Sequence, residues 1–112
     1  MPSKNPRQRL QDIVDNIDAI SGFIGTMTVE EFKLDRKCVY AVTRALEIVS
    51  EASRRLPDEL KQRHSGIDWP AIAAAGNVYR HEYEVVDEEQ LWHTVQQGLN
   101  TLRAIAESEL SR

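Results

Sequence analysis

The residues best suited to chemistry lie close together in the stretch NVYRHEYEVVD, residues 77–87. Imidazole has an unperturbed pKa of about 6.5, so a histidine such as His81 can accept and release a proton near neutral pH. A guanidinium such as that of Arg80 can stabilise the charge that develops on a phosphate. Histidine and arginine together can cleave RNA without a metal ion, because the 2′-hydroxyl of RNA supplies the nucleophile.

A helix predicted over residues 69–83 would gather these groups on one polar side, with Tyr83 on the side that faces the core. One interpretation is a solvated helix face with an Arg–Glu pair. The other is a proton-transfer site, in which His81 and Arg80 act and neighbouring polar side chains orient them. The polar side consists of Asn77, Arg80, His81 and Glu84. Because the reaction needs a base and an acid, one such histidine per chain favours a symmetric dimer.

Other chemistries have weaker support in the sequence. It contains no glycine-rich phosphate loop, no Cys/His metal spacing and no nucleophile elbow, so neither a metal nor a cofactor is expected. The single cysteine, Cys38, lies beside apolar helical positions and is predicted to be a small core residue. One cysteine excludes an internal disulfide and suits a reducing compartment.

The charge balance argues mildly against a protein that coats nucleic acid. The chain has 14 Lys and Arg against 18 Asp and Glu, a formal net charge of −4. A basic cluster over residues 54–64 is more typical of a solvated surface, and neither His64 nor His93 has an evident partner. The sequence shows no signal-peptide pattern and no run of about 18 apolar residues, so we expect a cytoplasmic protein without a membrane span.

Apolar residues recur at helical spacing along the whole chain, with no strand pattern. Four long helices and one short one are predicted, the second long helix bending near Leu34. Thr28 with Glu31, and then Asp68 and Asp87, provide caps. The predicted helices span 7–25, 29–56, 58–63, 69–83 and from 87 to the C-terminus. The chain is therefore predicted to be a single domain, residues 1–112, with an all-α fold: an antiparallel bundle of four to five helices.

Three stretches in order, LQDIVDNIDAI, DRKCVYAVTRALEIVSEASRRLP and IDWPAIAAAGNVYRHEYEVVD, resemble the HepT-like proteins of the HEPN superfamily. The resemblance covers roughly residues 8–106. It implies an all-helical homodimer that acts on RNA as a metal-independent ribonuclease, the toxin of a prokaryotic toxin–antitoxin pair. It also implies a partner antitoxin, a minimal nucleotidyltransferase of the MntA type, which silences the toxin by attaching AMP to the tyrosine of the family motif.

That motif consists of an arginine, four to six residues, a histidine, one residue and a tyrosine. His81 and Tyr83 match it, and the resemblance makes Tyr83 the AMP acceptor. The arginine does not match: with four intervening residues its position is occupied by Gly76, and the nearest upstream arginine is Arg80. Either Arg80 supplies the charge or catalysis is weakened, and a dimer interface is a further way to supply an arginine such as Arg44. On a continuous helix Tyr83 would face the core, so its modification requires the helix to end or unwind near residue 82.

Two functions of different classes follow. The first is a toxin ribonuclease, with His81 as general acid and base, Arg80 stabilising charge on the phosphate, and Asn77 and Glu84 in support. The second is a non-catalytic helical dimer that binds and regulates a nucleotidyltransferase. Gly76 and the negative net charge favour the second, whereas the family resemblance favours the first.

Overall fold

Helices make up most of the chain in the computed structural model, which describes residues 5–76, 79–80 and 85–112. The all-α prediction is confirmed, with a pair of two-residue strands inserted among the helices. In chain order the elements are α1 (Pro6–Ile24), α2 (Val29–Leu34), α3 (Arg36–Arg54), α4 (Asp58–Arg63), α5 (Trp69–Ala75), β1 (Tyr79–Arg80), β2 (Val85–Val86), α6 (Glu88–Gln96) and α7 (Leu99–Leu110). None of the helices in these ranges is long and apolar enough to cross a bilayer.

The core is built around α1, which packs against both α3 and α7. Arg7, near the start of α1, donates to the carbonyl oxygen of Leu110 at the end of α7, at 3.0 Å. Arg103 binds Asp18 further along the same pair, so α1 and α7 run antiparallel. The predicted apolar faces of α1 and α3 are confirmed as buried: Ile13, Ile17, Ile20 and Ile24 on α1, and Val39, Val42, Leu46 and Val49 on α3.

Two of the predicted helices are each divided in the structure. The helix predicted over 29–56 is interrupted at Asp35, whose carboxylate accepts from the backbone N–H of Cys38 at 2.9 Å and caps α3. The helix predicted from residue 87 to the C-terminus is interrupted at Gly98. Its φ of 77° is a left-handed conformation that glycine adopts without steric cost. Cys38 itself is buried as predicted, and burial raises the pKa of its thiol.

The helix predicted over 69–83 begins as expected but ends at Ala75. At its start the carboxylate of Asp68 accepts from the backbone N–H of Ala71 at 3.1 Å. Beyond its end, Tyr79–Arg80 pairs antiparallel with Val85–Val86, so the prediction that the chain has no strand was wrong. β-Branched and aromatic residues favour extended backbone, and helical spacing alone did not outweigh that preference.

A buried carboxylate joins the end of α4 to α7. The side chain of Glu109 is 4% exposed; its Oε1 accepts from Arg63 Nη2 at 2.7 Å and its Oε2 lies 2.6 Å from His64 Nε2. The Arg63 guanidinium, helped by His64 and opposed by burial, lowers the pKa of Glu109 from 4.5 to about 2. The sequence did not reveal this partner of His64, because the two residues lie 45 positions apart.

We predict that Glu109→Gln destabilises the protein and flattens its response to acid. A pKa lowered by folding stabilises the protein above about 4.5, and that stabilisation is lost as the pH falls toward about 2. The substitution should reduce the free energy of unfolding near neutral pH by about 1–3 kcal/mol. Urea unfolding, followed by circular dichroism across this pH range, measures both effects.

The matched control is Glu107→Gln, on the same helix but with a half-exposed side chain. It should retain the acid dependence of the parent protein. An identical pH dependence of unfolding in the parent protein and in Glu109→Gln would contradict the assigned role of Glu109.

Candidate functional site

In the sequence, the predicted site residues lie between helices α5 and α6. On one side α5 ends at Ala75. On the other, the carboxylate of Asp87 accepts from the backbone N–H of Gln90 at 3.1 Å and caps α6, as the sequence predicted. The segment that holds the predicted site residues is therefore joined at both ends to helices of the bundle.

Gly76, which occupies the position of the family arginine, lies directly against α3. A Cβ atom at this position would lie 2.9 Å from Ser50 Oγ and 3.3 Å from Glu47 Cα, closer than side chains normally pack. The buried hydroxyl of Ser50 donates to the carbonyl oxygen of Ile72 at 2.9 Å, which fixes α5 on α3 at this point. Glycine at position 76 therefore has a structural role, which the sequence analysis missed. The only signal for it was the preceding run of alanines.

Arg80 lies in β1, where it pairs with Val85, and Tyr79 pairs with Val86. The helical polar face predicted from Asn77, Arg80, His81 and Glu84 is therefore wrong at Arg80, whose backbone is extended. The other predicted site residues, Asn77, His81, Tyr83 and Glu84, lie outside the described residues. The pairing places the backbones of Arg80 and Val85 side by side, immediately before and after residues 81–84 in the sequence.

Two arginines of α3 lie near the end of α5. Arg54 donates to the carbonyl oxygen of Ala73 and to the carboxylate of Glu51, so its guanidinium is engaged. Arg44 has a side chain that is 72% exposed and a single long contact, 3.6 Å, with Glu47. Arg44 is thus an exposed cation three residues before Glu47, whose Cα borders Gly76.

A cleft of about 400 Å³ opens where α3, α5 and α6 meet. Its lining is mostly apolar, with hydrogen-bonding groups from the amide and hydroxyl side chains of α6 and the residue after it; the lining includes Leu46, Val49, Ile72, Ala75, Gln90, Thr94 and Gln97. Because none of the lining residues titrates near neutral pH, the cleft itself offers no general acid or base. Among residues 5–76, 79–80 and 85–112, no group of three or more His, Cys, Asp and Glu is placed to hold a metal ion.

The chain matches the family described as Ribonuclease HepT-like over residues 13–109. It is 35% identical over 100 residues to a protein of Thermococcus cleftensis named as a probable ribonuclease HepT, covering 89% of this chain and 91% of that protein. Two further relatives are named as candidate RNases. One, from Methanocaldococcus jannaschii, is 34% identical over 95 residues, covering 85% of this chain and 78% of that protein. The other, from Caldanaerobacter subterraneus, is 32% identical over 92 residues, covering 82% of each chain.

No solved structure significantly matches the chain. The family match spans most of the sequence and includes the histidine and tyrosine of the motif, and the helical structure agrees with it. The chain belongs to the HepT-like ribonuclease family.

Proposed function

We propose that this protein is the toxin of a prokaryotic toxin–antitoxin pair and cleaves RNA in the cytoplasm without a metal ion. The observation that carries the proposal is the family match over residues 13–109, which encloses His81 and Tyr83 at the one-residue separation of the motif. The names of the relatives, which designate ribonucleases, support the same substrate class.

The reaction uses the 2′-hydroxyl of the RNA as nucleophile. His81 removes the 2′-hydroxyl proton, and the oxygen attacks the adjacent phosphorus. The P–O5′ bond breaks, leaving a 2′,3′-cyclic phosphate, and a second imidazole returns a proton to the departing 5′ oxygen. A homodimer supplies the two imidazoles, one from each chain. Arg80 stabilises the negative charge that develops on the phosphate, and Asn77 and Glu84 orient these groups.

The end of α5 at Ala75 supports this assignment. The objection to Tyr83 as a modification site depended on a helix that continued through residue 83 and turned the tyrosine toward the core. Because α5 ends at Ala75 and Arg80 is extended, that helix is not present. A separation of about 100° between Arg80 and His81 follows only from an ideal helix, and Arg80 is not helical.

Regulation by an antitoxin is the second part of the proposal. A minimal nucleotidyltransferase transfers AMP from ATP to the hydroxyl of Tyr83 and releases pyrophosphate. The bulky, negatively charged adenylate, two residues from His81, then repels the phosphates of RNA.

We predict that Tyr83→Phe abolishes AMP incorporation when the protein is co-expressed with the nucleotidyltransferase encoded beside it. The phenyl ring offers no hydroxyl to accept the adenylate. Intact-mass spectrometry of the purified protein measures the modification, with Tyr40→Phe as a control that leaves Tyr83 unchanged. A mass increase of one AMP on Tyr83→Phe protein would place the acceptor elsewhere.

We predict that His81→Ala lowers the rate of RNA cleavage in EDTA by at least about 100-fold, the scale of a lost general acid or base. The matched control is His93→Ala, which removes an exposed histidine of α6 and should leave the rate unchanged. Gel electrophoresis of end-labelled RNA measures both rates. Cleavage by His81→Ala at the parent rate would contradict the mechanism. No cleavage by folded, dimeric parent protein would instead support the non-catalytic regulator of a nucleotidyltransferase.

We predict that restoring the family arginine with Gly76→Arg destabilises the protein and does not increase activity. Its Cβ would crowd Ser50 and the backbone of Glu47, at a cost of about 1–3 kcal/mol in the free energy of unfolding. Gly76→Ala should show most of this decrease in the free energy of unfolding. Gly22→Ala is the control, because a Cβ at Gly22 meets no atom within 4 Å. Urea unfolding and the RNA cleavage assay measure the outcome, and faster cleavage by a stable Gly76→Arg protein would contradict the prediction.

A further inference from the structure

The segment that contains His81 is anchored at both ends on the same side of α3. Along α5, Ala73 contacts Arg54 and Gly76 contacts Glu47, so α5 runs antiparallel to α3 and toward its N-terminal half. The chain thus enters the segment beside the middle of α3.

The chain leaves the segment near the start of α3. At the beginning of α6, Glu89 accepts from Lys33 of α2 at 3.0 Å. The pKa of Arg36 is raised, mainly by its hydrogen bond to Tyr40, and Glu88 lies close enough to contribute. The part of α3 between Arg36 and Glu47 therefore borders both ends of the segment.

This part of α3 exposes an aromatic ring among positive charges. The side chain of Tyr40 is 54% exposed. Arg36 Nη2 donates to its hydroxyl at 2.9 Å, and the guanidinium carbon lies 5.7 Å from the centre of the ring. Lys37 and Arg44 are exposed beside them, and the spacing of 36, 40 and 44 places these three on one face of α3.

The combination fits a flexible, negatively charged ligand with planar groups. An exposed aromatic ring can stack on any base, and flanking guanidinium and ammonium groups neutralise phosphates along a strand. Because the chain as a whole has a net charge of −4, the positive charge near Tyr40 is local to this part of the surface.

We propose that Arg36, Lys37, Tyr40 and Arg44 form a binding platform for single-stranded RNA, with a base stacked on Tyr40 and the basic side chains on the phosphates. The proposal rests on the ribonuclease function and adds to it a surface on α3 that receives the substrate. A platform of this kind favours single strands, because the bases of a duplex are not free to stack on a side chain.

The test separates binding from cleavage. Binding is measured by fluorescence anisotropy of a labelled single-stranded RNA of mixed sequence, with every variant made in the His81→Ala background so that the RNA stays intact. Tyr40→Leu should raise Kd at least about 5-fold, because stacking on an aromatic side chain contributes about 1–3 kcal/mol per base. Tyr40→Phe keeps the ring and should stay within about 2-fold.

The charged residues have their own control. Arg36→Gln and Arg44→Gln should each weaken binding and reduce its dependence on salt, because each substitution removes one phosphate contact. Arg112→Gln removes an exposed charge beside Glu109 and should leave Kd unchanged. In the active background, Tyr40→Leu should raise KM with little change in kcat.

The outcomes distinguish failure of the platform from failure of the proposed function. If the parent protein cleaves RNA in EDTA while Tyr40→Leu binds and cleaves equally well, the platform is wrong and the ribonuclease stands. If the parent neither binds nor cleaves RNA, both are wrong. If sedimentation shows that Tyr40→Leu converts a dimer into a monomer, this face joins two copies of the chain, and the RNA platform is overturned.

Discussion

The contact between α5 and α3 determines where the candidate site begins. Ser50 is buried and donates to the carbonyl oxygen of Ile72, and Gly76 allows the backbone of α5 to rest against Glu47 and Ser50 without a side chain between them. With α5 held in this way, the helix ends at Ala75, and Tyr79–Arg80 further along the chain is extended. This one close approach fixes the end of α5 on α3.

α3 contributes to three different surfaces of the protein. This arrangement leaves positive charge exposed on a protein whose net charge is negative, as binding to RNA requires. One face forms the core with α1, a second carries α5, and a third is open to solvent with Tyr40 and its neighbouring cations. Several other arginines are already paired: those at positions 54, 55, 63 and 103 bind carboxylates within the chain. The net charge therefore says little about the charge available around Tyr40, because Arg36 and Lys37 are exposed there.

Local signals in the sequence predicted the helices, their buried faces and the caps at Thr28, Asp68 and Asp87, since each depends on residues a few positions apart. The break at Asp35 was predicted as a bend near Leu34, whereas the break at Gly98 was missed because the apolar spacing continues across it. The short strands were missed for the same reason. The roles of Gly76 and of Glu109 depend on residues brought together by folding, from α3 in one case and α4 in the other, and no local pattern encodes them. The family resemblance supplied what spacing could not, the histidine and tyrosine that match the family motif.

The absence of room beside Gly76 also constrains how this lineage can change. A side chain at position 76 would meet the backbone of Glu47 at 3.3 Å as well as the hydroxyl of Ser50 at 2.9 Å, so α5 and α3 would have to separate slightly to admit it. A larger residue at position 76 is therefore best accommodated together with a smaller residue at position 50.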